Sequence, residues 1–336
     1  MKTSVAGMLA CVMAGGIAGT QAQSSNPAVQ AHVAAAKAAA GTEFAPVFNR
    51  ICAEAVPPDN PAPRPQRGAR PPGPPARETW HADPVKVFDN LYFLGQTEYS
   101  AWAVTTSAGT IVIDTIFDYS VADEVEGGMK KMGLDPASIK YVIVSHGHGD
   151  HSGGAKFLQE KYGAHVILGA EDWDLLDRSS GTKPNRDMSA TDGMKLTLGD
   201  TTLTIYKTPG HTLGTLSTLI PVKDRGQPHL VAYWGGTAFN WVAGPQNYIT
   251  PERPDRFWFK TYSDSARRFR DIASREGADV ILSNHTNFDG SKQKLPALKT
   301  RKPGDANPYV IGKEGVIRYL TVVDECAQAG LSRVTQ

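Results

Sequence analysis

The most constraining feature of this chain is a stretch, residues 145–154, that holds three histidines and one aspartate within six consecutive positions. It follows residues 141–144, a β-branched run typical of a buried strand. It precedes residues 155–162, which predict a helix with Phe157 and Leu158 facing inward. Imidazole nitrogen and carboxylate oxygen suit zinc. Because glycines between these side chains let the backbone wrap around an ion, the sequence predicts a metal site and not a histidine-rich surface turn.

Two later histidines also lie where strands end. His211 occupies a turn between the strand-like runs 203–206 and 216–220, and His285 directly follows the apolar run 280–284. A single histidine in such a place is more often structural. In a chain that already carries the first cluster, we predict that both are metal ligands.

These motifs resemble those of the metallo-β-lactamase-fold hydrolase superfamily, over a region that runs from about residue 85 to the C-terminus. The resemblance implies an α/β fold, an αββα sandwich of two mixed β-sheets with flanking helices. It implies two zinc ions per chain. It assigns the first zinc to His146, His148 and His211, and the second to Asp150, His151 and His285. It also implies that Asp114, at the end of a predicted strand, braces the histidine loop.

One departure from the superfamily pattern narrows the function. In most of these hydrolases, including glyoxalase II and acyl-homoserine lactonases, an aspartate after the strand that follows the Pro-Gly-His motif bridges both metals. Here that strand (230–234) is followed by two glycines (235–236), and no carboxylate occurs between Asp224 and Glu252. True metallo-β-lactamases also lack the bridging aspartate. The chain most resembles their cysteine-free subclass, which has an Asp-His-His second site and a serine near the position of Thr237.

The resemblance therefore predicts a zinc-dependent hydrolase that opens a cyclic amide, most simply a β-lactamase that uses a zinc-bound hydroxide. Asp150 would orient the nucleophile, and His211 would hold the ion that generates it. Thr237 and Asn240 are predicted to contact substrate or a second-site water. A lactonase or other small-ester hydrolase is the alternative. A non-catalytic zinc-binding protein is less favoured, because all six ligands are present.

Other residues leave their roles open at this stage. Trp102, Trp241 and Trp258 are candidates both for apolar walls of the site and for the core. Asp187 and Asp192, in the loop predicted at 181–193, are candidates for lining the site. We predict that the remaining histidines are not ligands: His32, His81, His165 and His229.

Composition agrees with a globular enzyme that acts on a small molecule. The chain has 336 residues, 40% hydrophobic and 21% charged, with a net charge of +1. This balance gives no overall attraction to nucleic acid. Two basic runs are predicted as a helix face (266–275) and a solvated loop (292–302).

The N-terminal region predicts export and four segments. The chain begins with a basic residue, Lys2, and an apolar run that is too short to span a bilayer. Small residues follow up to Ala22, so the sequence predicts a signal peptide cleaved after Ala22. The mature protein should be periplasmic or secreted and without a membrane anchor. The predicted segments are the signal peptide (1–22), a partly helical arm (23–56), a proline-rich linker (57–79) and the catalytic domain (80–336).

The mature chain would keep two cysteines, Cys52 and Cys326, and neither has metal-like spacing. In an exported protein, a disulfide that ties the arm to the C-terminal segment is the natural interpretation. Two unrelated buried thiols are the alternative.

Overall fold

The structure, a computed structural model, describes residues 26–57 and 73–335 of the chain. The predicted signal peptide and most of the predicted proline-rich linker lie outside these residues, so both stay predictions. Within the described part of the chain, no helix has the length and apolar character needed to cross a membrane.

The first sheet is mixed. Strands β1 to β4 pair antiparallel with their neighbours, whereas β4 to β7 pair in parallel. The parallel pairing places the carboxyl ends of β4 and β5 at one edge of the sheet, so the loops that follow them meet there. In spatial order the strands are β1 (Val85–Phe88), β2 (Leu91–Phe93), β3 (Trp102–Thr106), β4 (Gly109–Ile113), β5 (Ile139–Ile143), β6 (His165–Gly169) and β7 (Met188–Ala190).

The second sheet has the spatial order β12-β11-β10-β9-β8 and is also mixed. Its strands are β8 (Met194–Leu198), β9 (Thr201–Lys207), β10 (Leu216–Asp224), β11 (Gln227–Trp234) and β12 (Val280–Ser283). Strands β11 and β12 pair in parallel, and the other neighbours pair antiparallel. Because β10 runs opposite to β9, β11 and β12, the carboxyl ends of these three strands share an edge, which brings together the loops that carry His211, residues 235–240 and His285.

Helices cover the outer face of each sheet. They are α1 (Pro27–Ala40), α2 (Ala45–Ala55), α3 (Gly127–Lys131), α4 (Gly149–Ser152), α5 (Ala155–Tyr162), α6 (Ala170–Arg178), α7 (Asn240–Ala243), α8 (Asp255–Glu276), α9 (Ser291–Lys299) and α10 (Gly312–Val334). A π-helical segment, Ala122–Glu126, leads into α3.

Three apolar layers hold these elements together. Trp102, Ile205 and Val231 are buried between the sheets. Leu158 and other side chains of α5 and α6 pack on the outer face of the first sheet, and α8 and α10 pack on the second around Trp234. Burying a large apolar side chain of this kind contributes roughly 1.5–3 kcal/mol. The predicted αββα sandwich of two mixed sheets is confirmed.

Two local predictions are wrong, and tertiary contacts explain both. The predicted loop 181–193 contains β7, whose three residues pair with β6 and bury Ala190. The predicted solvated loop 292–302 contains most of α9, which buries Leu295 against the layer between the sheets. The predicted helix 266–275 is the C-terminal half of the longer α8.

The N-terminal arm packs on the end of the chain. Helices α1 and α2 bury Phe44, Val47 and Ile51 in the same cluster as Tyr319 and Leu320 of α10. The predicted disulfide is present in the structure and joins Cys52 of α2 to Cys326 of α10, whose Cα atoms are 4.7 Å apart.

We expect loss of this disulfide to destabilise the fold without dismantling the ligand site. Cys52 and Cys326 are separated by 274 positions, and closing so long a loop stabilises by about 5 kcal/mol at most. Cys52→Ser should therefore lower the melting temperature by several degrees, measured by calorimetry, while the zinc content stays unchanged. Reductant should lower the wild-type melting temperature similarly and leave the double variant Cys52→Ser/Cys326→Ser unaffected. Titration of two reactive thiols in the untreated mature protein would contradict the bridge.

Candidate metal centre

The first ligand group brings together His146, His148 and His211, with ligand atoms within 4.8 Å of one another. Hydrogen bonds to the backbone fix two of the rings. Nδ1 of His146 donates to Gly235 O at 2.9 Å, and Nδ1 of His211 donates to Ala238 O at 2.7 Å. Each Nε2 is then an acceptor, and the two Nε2 atoms lie 3.0 Å apart. Two nitrogen lone pairs that face each other at this distance repel each other, and a cation between them would turn the repulsion into attraction. This set of donor atoms therefore fits a metal ion.

The third ligand of this group is oriented by a tyrosine. Nε2 of His148 lies 2.7 Å from Tyr248 Oη. When that nitrogen donates to the phenol oxygen, Nδ1 presents its lone pair to the group. Tyr248 lies in an irregular segment and has no motif that would mark it in the sequence.

The second ligand group contains Asp150, His151 and His285, also with ligand atoms within 4.8 Å. Asp150 Oδ2 lies 3.3 Å from His151 Nε2 and 3.7 Å from His285 Nε2. His151 Nε2 is buried and has no hydrogen-bond partner in the described chain. A buried, unpaired imidazole nitrogen beside a carboxylate is what a second metal ion would satisfy. The structure thus unites all six predicted ligands in the predicted two sets.

Burial keeps most of these histidines neutral, the form that binds metal. Burial, followed by neighbouring histidines, lowers the pKa of His146 well below its ordinary value, and burial chiefly does the same for His211. Burial lowers the pKa of His148 to about 4. Burial and the positive charges of His151 and Arg50 lower the pKa of His285 to about 3.

Charge at the second group behaves differently. Burial opposes ionisation of His151, but the carboxylates of Asp150 and Asp114 outweigh it and raise the pKa of His151 to about 10. Burial likewise opposes ionisation of Asp150, and the neighbouring histidines, His151 foremost, lower its pKa below the ordinary value. The two carboxylates therefore favour positive charge at this point, which a divalent cation can supply in place of a proton.

Asp114, predicted to brace the histidine loop, contacts Ser145 and His151 of that loop. It directly follows β4 with a left-handed φ of 56°, and its side chain is fully buried. One carboxylate oxygen accepts from Ser145 N at 2.7 Å, and the other accepts from Tyr233 Oη at 2.6 Å. The second oxygen also lies 3.0 Å from His151 Nδ1, which leaves Nε2 of His151 to face Asp150.

A second buried carboxylate, Asp172 of α6, joins the two ligand loops. One oxygen accepts from Gly147 N and Thr212 Oγ1, both at 2.7 Å, and the other accepts from Gly214 N at 2.9 Å. Burial raises the pKa of Asp172 to about 6. The only sequence signal for this residue is an acidic side chain in the first turn of a predicted helix, which is too common to mark a site.

The predicted substrate contacts separate in the structure. Asn240 lines the cavity over the ligands, with Nδ2 2.9 Å from His211 Nε2. Thr237 does not lie there, because its side chain is buried and its hydroxyl pairs with Ser283 Oγ at 3.1 Å. The three tryptophans belong to the core, since Trp102, Trp241 and Trp258 are all buried.

The remaining candidates lie outside both ligand groups. Asp187 bonds to Val166 N and Asp192 to Lys207 N, so both carboxylates serve local structure. The four histidines predicted not to be ligands each contact a carboxylate elsewhere: His32 with Glu325, His81 with Glu124, His165 with Asp187 and His229 with Asp279.

Four of the six ligands, His148, Asp150, His211 and His285, line a cavity of about 1200 Å³. Aromatic side chains form much of its wall, including Trp80, Tyr99 and Phe117. The ring of Tyr99 lies 5.1 Å from that of His285. A space of this size, lined by both aromatic and polar side chains, suits a small organic substrate.

The fold and the two ligand groups are those of a metallo-hydrolase scaffold, and the comparison with known families agrees. Residues 94–224 match the Metallo-beta-lactamase superfamily. Residues 94–224 therefore carry a metallo-beta-lactamase superfamily domain, and the fold is that of metallo-beta-lactamase structures. The resemblance predicted from the motifs is confirmed.

Individual similar proteins fall into two sets. BJP-1, a subclass B3 metallo-beta-lactamase of Bradyrhizobium japonicum, superposes with a TM-score of 0.60 at 27% identity and covers 73% of this chain and 91% of its own. Metallo-beta-lactamase domain-containing protein 1 of Xenopus laevis is 29% identical over 52% of this chain and 66% of its own length. Hydroxyacylglutathione hydrolase of Pseudomonas putida is 30% identical over 33% of this chain and 38% of its own length. The matches thus span less than two thirds of these two sequence relatives.

We expect the purified protein to hold two zinc ions, one for each ligand group. Asp150→Asn should keep the first ion and lose the second on dialysis, because the second group then has no anionic ligand. Elemental analysis measures the zinc content of the wild type and of the variant. Asp174→Asn, which removes an exposed carboxylate of α6 that belongs to neither ligand group, is the matched control. Iron in place of zinc, or two tightly held zinc ions in Asp150→Asn, would contradict the assignment.

Asp172→Asn should weaken the first ion without removing a ligand. Asparagine cannot accept at both of the carboxylate positions that hold Gly147, Thr212 and Gly214. Metal affinity measured by chelator competition should fall by roughly 10–100-fold, as for other residues that orient metal ligands. Asp177→Asn, an exposed change on the same helix, should bind zinc as the wild type does. Equal affinity in the two variants would mean that Asp172 does not hold the loops.

Proposed function

We propose that this metallo-β-lactamase-fold hydrolase is a zinc-dependent β-lactamase that acts outside the cytoplasm. Three findings support the proposal: the ligand set, the similarity to subclass B3 metallo-beta-lactamases and the loop that follows β11. The loop is the main support for the proposal. Other hydrolases of the resembled superfamily have a bridging aspartate in this loop, and this chain has none there.

The loop has no room for that aspartate. A Cβ at Gly235 would lie 1.7 Å from Leu216 O, and a Cβ at Gly236 would lie 2.4 Å from His211 Cβ. The next side chain, Thr237, is directed toward Ser283. Among the described residues, Asp150 is the single carboxylate in the two ligand groups.

In the proposed amide hydrolysis, the residues of the site have different roles. When bound, zinc supplies Lewis acidity and lowers the pKa of water at the site toward neutrality. Asp150 orients the attacking water by accepting a hydrogen bond. Asn240 Nδ2, beside His211, donates to the carbonyl oxygen of the substrate as negative charge develops there. The water oxygen bonds to the carbonyl carbon and the water gives up a proton. The C–N bond then breaks, and the leaving nitrogen takes up that proton.

A second candidate function rests on the sequence relatives. Several are hydroxyacylglutathione hydrolases of 26–30% identity. The same scaffold with its cavity could therefore hydrolyse a small thioester, ester or lactone, since one fold supports many chemistries. The loop after β11 argues against this candidate.

Turnover of three substrates by the dizinc protein decides between the candidates. We expect hydrolysis of a chromogenic cephalosporin, weak or no hydrolysis of a homoserine lactone and of a hydroxyacylglutathione, and no inhibition by clavulanate, because no acyl-enzyme forms. Chelation should abolish turnover. In a sensitive host the whole chain should raise resistance, whereas a chain without residues 1–22 should not, since export depends on them. Efficient lactone or thioester turnover without β-lactam hydrolysis would reject the proposal.

A further inference from the structure

The N-terminal arm forms part of the cavity wall. Pro46 and Arg50 of α2 line the same cavity as His148 and Asp150. The side chain of Arg50 is 57% exposed, so solutes that enter the cavity can reach it. Since the disulfide at Cys52 fixes α2 against α10, this wall belongs to the folded domain.

A buried carboxylate fixes the guanidinium of Arg50. One of its terminal nitrogens lies 2.8 Å from Glu54 Oε1, one helical turn further along α2. Glu54 itself is only 9% exposed, and its other oxygen accepts from Phe239 N at 3.0 Å. Glu54 therefore bridges the arm and the loop after β11.

That loop also contacts the first ligand group. Ala238 O accepts from His211 Nδ1, and Asn240 Nδ2 lies 2.9 Å from His211 Nε2. Phe239 stands between these two residues. Through Glu54, the guanidinium of Arg50 is thus held in a fixed relation to the metal ligands, as recognition of a substrate requires.

The charges in the cavity favour Arg50 as a site for an anion. Two basic residues, Arg50 and Lys292, are among the described side chains that line it. Lys292 is paired with Glu98, a carboxylate that lines the same cavity. A guanidinium has five N–H donors in a planar fork, so Arg50 can bind Glu54 and still donate to a second carboxylate.

We propose that Arg50 binds the carboxylate of an anionic substrate in this cavity, and that Glu54 is the positioning residue that holds it. The proposal rests on the proposed function, since β-lactams carry a carboxylate next to the amide that is opened and neutral lactones do not. Arg50 would thereby select anionic over neutral substrates.

The test compares benzylpenicillin with its methyl ester, which differ in that carboxylate alone. Binding to the dizinc protein is followed by tryptophan fluorescence, and hydrolysis is measured in parallel. We expect the wild type to bind the acid roughly tenfold more tightly than the ester. Arg50→Gln combined with Glu54→Gln, which leaves no unpaired buried charge, should lose most of this preference and keep only the part that the zinc ions supply. Arg50→Lys should keep part of the preference, because the positive charge remains. Arg256→Gln, an exposed change on α8, should behave as the wild type.

Each outcome separates this inference from the proposed function. A preference for the acid that is undiminished in the double glutamine variant, or no such preference in the wild type, overturns the role of Arg50. A wild type that binds neither compound overturns it too. A preference that depends on Arg50, in a protein that hydrolyses no β-lactam, rejects the proposed function and leaves the anion site in place. Zinc content measured in every variant shows that the ligand groups are intact.

Discussion

The metal site depends on two buried carboxylates that are not themselves ligands but hold the ligand loops in place. The six ligands come from loops of both sheets, and the strand directions bring those loops only to the same edge of the sandwich. Asp172 then joins the loop of His148 to the turn of His211 through three hydrogen bonds, and Asp114 anchors Ser145 and His151. Hydrogen bonds to a charged group contribute about 1.5–3 kcal/mol each, enough to hold a loop whose glycines leave it free to move.

The two ligand groups differ in the charge that they present to a metal ion. The first consists of three buried imidazoles whose hydrogen bonds turn their free nitrogens inward, so attraction for a cation comes from lone pairs without net charge. The second combines Asp150 with His151, backed by the carboxylate of Asp114. Neutral ligands place less charge in the interior and cost less to bury, whereas the second group gains more from a divalent ion and loses more without one.

The sequence was sufficient where chemistry is local and insufficient where contacts are distant. The spacing of the first histidine cluster, and two histidines at strand ends, marked all six residues of the ligand groups, because ligands separated by single glycines can converge on an ion within one loop. The sandwich followed from resemblance. Asp172 and Tyr248 could not be recognised, since each acts through a partner far away in the chain. Thr237 was predicted from the resemblance, because it lies near the position of a serine in the cysteine-free subclass. Its side-chain direction depends on the contact with Ser283, which belongs to another strand.

The closed loop at Gly235 and Gly236 links the chemistry of the metal site to the charge of its substrate. A carboxylate bridging two metal ions would cancel part of their positive charge at the point where the substrate binds. Without space for it, the same ions would present more positive charge to an incoming anion. The guanidinium of Arg50 would then add to the attraction that the ions exert on an anionic substrate, and no bridging carboxylate would oppose it. Under the proposed function, the steric limit at two glycines and the position of Arg50 on a disulfide-anchored helix would therefore both favour substrates that carry negative charge.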